Sequence, residues 1–240
     1  MNSSTANNTE QSGPVGPPHV HHMDAPTAYG SAKLGMWLFL GTEILLFGGL
    51  FTAFAIFRFL YLDQYAAASS HLDWKMGGLN TMVLIFSSFL VALAVDAAQH
   101  GDNAKVRRNI LITIVCGFIF LIIKYFEYSG KYHHGLFPGG QTGIGDFLFG
   151  APEHVDRAME FNSPAFNAKY KSFFGLYYCM TALHALHVVI GMGLLFWVYL
   201  KACKNRFSPD YYTPVEMGGL YWHLVDLIWI YLFPLLYLVG

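Results

Sequence analysis

Phe173-Phe-Gly-Leu-Tyr-Tyr-Cys-Met-Thr181-Ala-Leu-His184-Ala-Leu-His187-Val-Val-Ile-Gly191-Met-Gly-Leu-Leu-Phe-Trp197-Val-Tyr-Leu200 holds no Asp, Glu, Lys or Arg. A helix needs about 20 apolar residues to cross the hydrocarbon core of a bilayer, and this stretch is longer than that. It lacks the strict alternation of a membrane β-strand. Its two histidines stand three apart, so a helix presents both imidazoles on one face. In water that spacing invites a metal site. In lipid the first question is what the two rings find to bond.

Four more apolar segments accompany it: Leu34–Tyr61, Leu79–Ala98, Ile110–Tyr128 and Leu220–Val239. The 240-residue chain is 55% hydrophobic and 17% aromatic, with only 12% charged residues. A soluble domain carries about a quarter charged residues, so the missing charge is what lipid would have excluded. The reading is an all-α membrane protein, a bundle of five transmembrane helices. Glycines at 41, 48, 49, 117, 175, 191 and 193 suit close helix approach in lipid. Pro234 is expected to kink the last helix, which membrane helices tolerate. A net charge of −1 without a basic run excludes nucleic acid as a partner class. Cys116, Cys179 and Cys203 stand singly and form no CxxC pair or disulfide framework.

The domain plan is a disordered cytoplasmic tail over 1–32, then a five-helix transmembrane domain over 33–240 with an external loop at 129–171. The tail is rich in Asn, Ser, Pro and Gly and lacks the pattern of a cleaved signal peptide. Its His19, His21 and His22 read as solvated. Lys105, Arg107 and Arg108 precede the third helix, and Lys201, Lys204 and Arg206 follow the fourth. Both groups fall on one side, which the positive-inside bias makes cytoplasmic. The N-terminus is then inside and the C-terminus outside. A loop as long as 129–171 is uncommon unless it binds or covers something.

The informative residues in lipid are ionisable ones. Glu43 lies within the first helix, Lys124 and Glu127 close the third, His184 and His187 sit mid-fourth, and His223 and Asp226 stand three apart in the fifth. Glu43 reads either as a proton relay or as a carboxylic acid hydrogen-bonded inside the bundle. Lys124 and Glu127 are spaced to pair, and snorkelling to the interface is the simpler account. A metal centre needs three or four converging ligands, and the Glu-x-x-His spacing of diiron sites is absent. Haem ligation by His184 or His187 stays open. Otherwise the histidines are interior hydrogen-bonding groups, with Glu43 or Glu127 as partners, and Asp226 is placed to accept from the His223 ring.

These residues carry a resemblance. Gly35-Met-Trp-Leu-Phe-Leu-Gly-Thr-Glu43, Leu79-Asn80-Thr81, Tyr125-Phe-Glu127-Tyr128, Leu183-His184-Ala-Leu-His187-Val188 with Gly191, and Glu216 followed by Tyr221-Trp-His223-Leu-Val-Asp226-Leu-Ile-Trp229 occur in order. Together they resemble subunit III of the haem-copper terminal oxidases, the cytochrome c oxidase and quinol oxidase group, from about residue 33 to the C-terminus. The resemblance implies a non-catalytic accessory subunit of a bacterial inner membrane, part of the aerobic respiratory chain. It would pack on the catalytic subunit I and on other oxidase subunits, with a respiratory supercomplex as a wider setting. The chain would hold no cofactor of its own, with haem and copper in the partner subunits. Bound phospholipid is expected, with Lys201 and Arg206 near positions that hold a lipid phosphate. Glu43 resembles the family's carbodiimide-reactive glutamate, in support of proton uptake and turnover stability. The larger members have seven helices, and this chain resembles the last five. Its loop at 135–166 matches nothing in that pattern. Two alternatives stand beside this reading: a subunit-III-like component of a quinol oxidase or nitric oxide reductase, and a stand-alone membrane His/Glu metalloprotein.

Overall fold

The computed structural model describes residues 25–69, 72–133, 149 and 168–238. Its elements are α1 (Ala25–Leu60), α2 (Leu62–Ser69), α3 (Trp74–Gln99), α4 (Asn103–His133), α5 (Ala168–Cys203) and α6 (Thr213–Tyr237). All but α2 are long and apolar enough to cross a membrane.

Each helix outruns the apolar window that announces it, because the polar ends have local reasons to be helical. Asp73 caps α3 by accepting the Lys75 backbone N–H at 2.9 Å. Pro214 sits in the first turn of α6, where its missing N–H costs nothing. Two expectations change here. Residues 25–32, read as tail, are the first two turns of α1, and residues 129–133 and 168–171, read as loop, extend α4 and α5. The rest of the tail and most of the 129–171 loop lie outside the described residues. The segment between the first two apolar stretches contains α2. Its Tyr65 is fully buried between the rings of Phe54 and Phe173, and its hydroxyl meets Ser172 Oγ at 3.1 Å.

Helices α3, α4, α5 and α6 close a ring in which α3 packs on α4, α4 on α5, α5 on α6 and α6 on α3. The α1 helix leans on α5 and α6 from outside. In its most apolar stretch only 17% of residues are buried, against 56% in α6, so α6 is the hub and α1 the flank. Lipid supplies no hydrophobic drive between helices, so packing and interhelical hydrogen bonds must hold them. Trp222 of α6 donates Nε1–H to Ser87 Oγ of α3 at 3.0 Å, and Trp229 donates to Thr81 Oγ1 at 3.1 Å. At one end Asn103 clamps the α5–α6 connection, donating to the Phe207 carbonyl at 2.8 Å and accepting its N–H at 3.2 Å. The two basic turns therefore share one end of the bundle.

Of the glycines expected at close contacts, only 117 and 191 are tightly faced; around 41, 48, 49, 175 and 193 the space is open. A Cβ on Gly117 would meet Met192 Sδ at 2.9 Å, a flexible side chain that can move, and the Trp222 ring at 3.1 Å. A Cβ on Gly191 would stand 3.0–3.1 Å from the Trp222 ring and 3.1 Å from Tyr221. Trp222 is pinned by its bond to Ser87 and has no slack. Gly191→Ala should therefore lower stability by roughly 1–3 kcal/mol, read as a drop in the thermal midpoint in detergent.

Candidate functional site

Three polar features sit in or beside this apolar ring. The first joins α1 to α5. His187 is buried, and its Nδ1 lies 2.7 Å from the Leu183 carbonyl one turn back. A carbonyl only accepts, so Nδ1 carries a proton. The other nitrogen, Nε2, faces Glu43 Oε2 at 2.8 Å. That contact holds one proton, either on the carboxyl facing a neutral ring or on the ring facing a carboxylate. Both forms are neutral overall, which lets the pair sit in a membrane interior where an isolated charge costs several kcal/mol. The Phe47 ring edges the imidazole at 5.3 Å, and the Tyr221 hydroxyl donates to the His187 carbonyl at 3.2 Å. The Glu43 side chain keeps 15% exposure, so the pair spans from the bundle surface to its interior.

The second feature corrects the interfacial reading of Lys124 and Glu127. Both side chains are buried, with 5% and 3% exposure, and Lys131 joins them at 7%. Glu127 Oε2 accepts from Lys124 Nζ at 2.8 Å. Its Oε1 accepts from Lys131 Nζ, from the Tyr177 hydroxyl at 2.7 Å and from the Tyr237 hydroxyl. Lys124 also donates to the Tyr237 hydroxyl at 2.7 Å and lies 4.7 Å from the Trp229 ring centre. One carboxylate thus ties α4 to α5 through Tyr177 and to α6 through Tyr237. Glu127 bonds to lysines and tyrosines and not to either histidine of α5.

The remaining candidates divide. His184 is fully buried against Phe120 at 5.5 Å and Trp229 at 5.1 Å between ring centres, and neither ring nitrogen finds a hydrogen-bond partner among the described residues. The expectation that both histidines tie α5 to neighbouring polar groups therefore fails for His184, whose surroundings are aromatic. His223 forms no hydrogen bond with Asp226 in the described structure; its Nδ1 meets Ser88 Oγ of α3 at 2.6 Å. Asp226 is buried, neither of its carboxylate oxygens meets a hydrogen-bond partner at bonding geometry among the described residues, and Ser88 is its nearby polar group. No three His, Cys, Asp or Glu side chains converge as metal ligands among the described residues.

The third feature is a cleft of about 880 Å3 between α1, α5 and α6, walled by Met36, Phe39, Leu194, Trp197, Tyr211 and Met217 among others. Lys201 Nζ stacks 3.7 Å from the Trp197 ring centre, and Arg206 lies close enough to act electrostatically on both Lys201 and Tyr211. Both cations therefore stand at the rim of an apolar groove. The groove's far rim is closed by Lys33 and Tyr29 of α1, which bond Glu216 of α6 at 3.3 and 2.7 Å.

The chain as a whole resembles known proteins in sequence. A family model described as cytochrome c oxidase subunit III matches residues 146–240. The chain is 30% identical over 207 residues to cytochrome c oxidase subunit 3 of Thermostichus vulcanus, covering 86% of each. The chain belongs to the cytochrome c oxidase subunit III family. It is also 30% identical to the Synechocystis sp. subunit 3, over 85% of this chain and 74% of that one. The probable subunit 3 of Nocardia farcinica is 26% identical over 92% of both. The fold follows: this is a multi-pass helical membrane subunit of an oxidase complex, with other oxidase subunits as its partners. Sequence reasoning missed Lys131, Tyr177 and Tyr237. Lys131 was within reach, standing four residues after Glu127 on the same helical face.

Proposed function

We propose that this chain is the accessory, cofactor-free subunit III of a proton-pumping terminal oxidase in a bacterial inner membrane, packing on subunit I and supporting its turnover. The observation that carries the proton-support reading is the Glu43–His187 contact. It holds one shared proton in a neutral, half-buried pair, with the carboxyl at the bundle surface and the ring inside. Moving that proton between Oε2 and Nε2 changes no net charge, so support of a pumping partner requires the pair to take up one proton at the surface-facing carboxyl for each proton it releases. His184, Glu127, His223 and Asp226 belong in this reading to the buried polar frame rather than to the proton step.

Phospholipid occupies the α1–α5–α6 cleft, with its acyl chains on Trp197, Leu194 and Phe39 and its phosphate toward Lys201 and Arg206. An apolar groove with cations at its rim matches a lipid's two ends. The basic end of the bundle is cytoplasmic, the C-terminus is periplasmic, and the region from residue 33 onward works as one transmembrane domain. Haem and copper reside in the partner subunits.

The test is purification of the tagged chain in mild detergent. A haem-containing subunit should co-purify, its haem type separating the oxidase from a nitric oxide reductase. The chain stripped of partners should show a flat visible spectrum and no bound metal. A pigmented isolated chain sinks the reading.

A further inference from the structure

A basic groove lies on the other side of α5 from the cleft, at the same end of the bundle. It encloses about 610 Å3 and is lined by Asp102, Lys105, Arg107, Arg108 and Leu111 around the start of α4, and by Tyr199 of α5. The charges do not cancel. Asp102 is committed to Lys105, accepting its backbone N–H at 3.0 Å as the cap of α4 and its ammonium at 3.0 Å. The capping bond, with the ammonium behind it, holds the Asp102 carboxyl below its usual range. Arg107 and Arg108 are exposed and form no ion pair among the described residues. Arg107 acts electrostatically on Tyr199, across the groove on α5.

What continues from the groove is apolar. Leu111, Val115, Phe118 and Ile122 follow Arg108 along one face of α4 at spacings of three and four residues, exposed by 46, 48, 54 and 53%. On α5, Phe196 stacks with Tyr199 at 6.2 Å and is 52% exposed. Two unpaired guanidiniums at the membrane boundary thus head an apolar seam that runs into the hydrocarbon. Guanidinium is the side chain best matched to phosphate geometry, and basic pockets between membrane helices bind anionic headgroups.

We propose that this groove is a second lipid site, taking one anionic phospholipid with its phosphate between Arg107 and Arg108 and an acyl chain along Leu111, Val115 and Phe118. The α4 N-terminal amides take no part, since Asp102 already caps them. The inference rests on the membrane-spanning reading of the chain and is independent of the cleft.

The test uses the full chain in phosphatidylcholine nanodiscs containing a minor fraction of phosphatidylglycerol with a photoreactive acyl chain. Labelled peptides are mapped by mass spectrometry, with photoreactive phosphatidylcholine as the comparison. Phosphatidylglycerol should label 111–122 in preference to phosphatidylcholine. That preference should fall about fivefold for each of Arg107→Gln and Arg108→Gln, both exposed and neutral to folding. Excess inorganic phosphate should leave it unchanged. Lys201→Gln/Arg206→Gln should leave it unchanged too, while any loss of label at the cleft in that variant speaks only to the cleft. Equal labelling by both lipids means annular lipid only and overturns the proposal. So does a preference that survives the double arginine variant, or one abolished by inorganic phosphate, which would mark a site for free anions.

Discussion

Glu127→Leu should destabilise the bundle by roughly 3–5 kcal/mol, the cost of leaving buried charge without its counter-ion. Glu127 is the acceptor for two lysines and two tyrosines drawn from α4, α5 and α6. Once it is gone, two ammonium groups with 5% and 7% exposure face each other with no carboxylate between them. Aromatic faces do not supply the missing negative charge: a desolvated cation–π contact is worth about 2 kcal/mol or more but leaves both ammonium groups without a counter-ion. The informative comparison is the triple variant Lys124→Met/Glu127→Leu/Lys131→Met, which removes every charge at once. Buried ion clusters replaced whole by apolar side chains of similar volume are often neutral. Tyr177 and Tyr237 would keep each other as partners at 3.3 Å. The triple variant should therefore be more stable than Glu127→Leu alone, although it changes more residues. Unfolding of the purified chain by heat or by titrated detergent reads both. If the single variant matches wild type, the cluster contributes no net stability.

The five spans are legible because each contains a long, predominantly apolar window with few charges, and the order of motifs is enough to point to the family. The helix ends are hidden by the same property. Lys124, Glu127 and Lys131 each count against a membrane helix when scored one at a time. They belong inside because Glu127 pairs with both lysines at spacings of three and four, a benefit that exists only when the three are read together. The α2 helix escaped notice because its polar start disguised Tyr65 and Ala68, whose burial depends on α5. The pairing of Glu43 with His187, and not with His184, spans 144 residues and turns on the rotation of α1 against α5, which no local pattern encodes. The same holds for Asp226: three-residue spacing from His223 is real, yet Ser88 on another helix outcompetes it. The cleft and the basic groove are products of three helices and two helices respectively, so neither has a sequence signature beyond its cations.

Glu43→Ala and Glu43→Gln should part company, and the way they do so decides what Glu43 is for. Alanine removes the only side chain that meets His187 Nε2 among the described residues, at a cost of about 1–3 kcal/mol for a buried polar group left unpaired. Glutamine keeps a donor for the ring nitrogen and restores most of that stability, but its amide cannot release or accept a proton. If Glu43 only packs, the glutamine variant should behave like wild type in the assembled oxidase. If the pair handles protons, glutamine should fail alongside alanine: the oxidase should pump less or inactivate after fewer turnovers, with its haem spectrum unchanged, because the chain touches the chemistry only through protons. His187→Phe, which preserves the ring contact with Phe47 and removes both nitrogens, should reproduce the glutamine result in the proton case. Turnover number before inactivation and protons ejected per electron, measured on intact oxidase carrying each variant, distinguish the outcomes. Wild-type values in Glu43→Gln reduce the pair to a structural tie between α1 and α5.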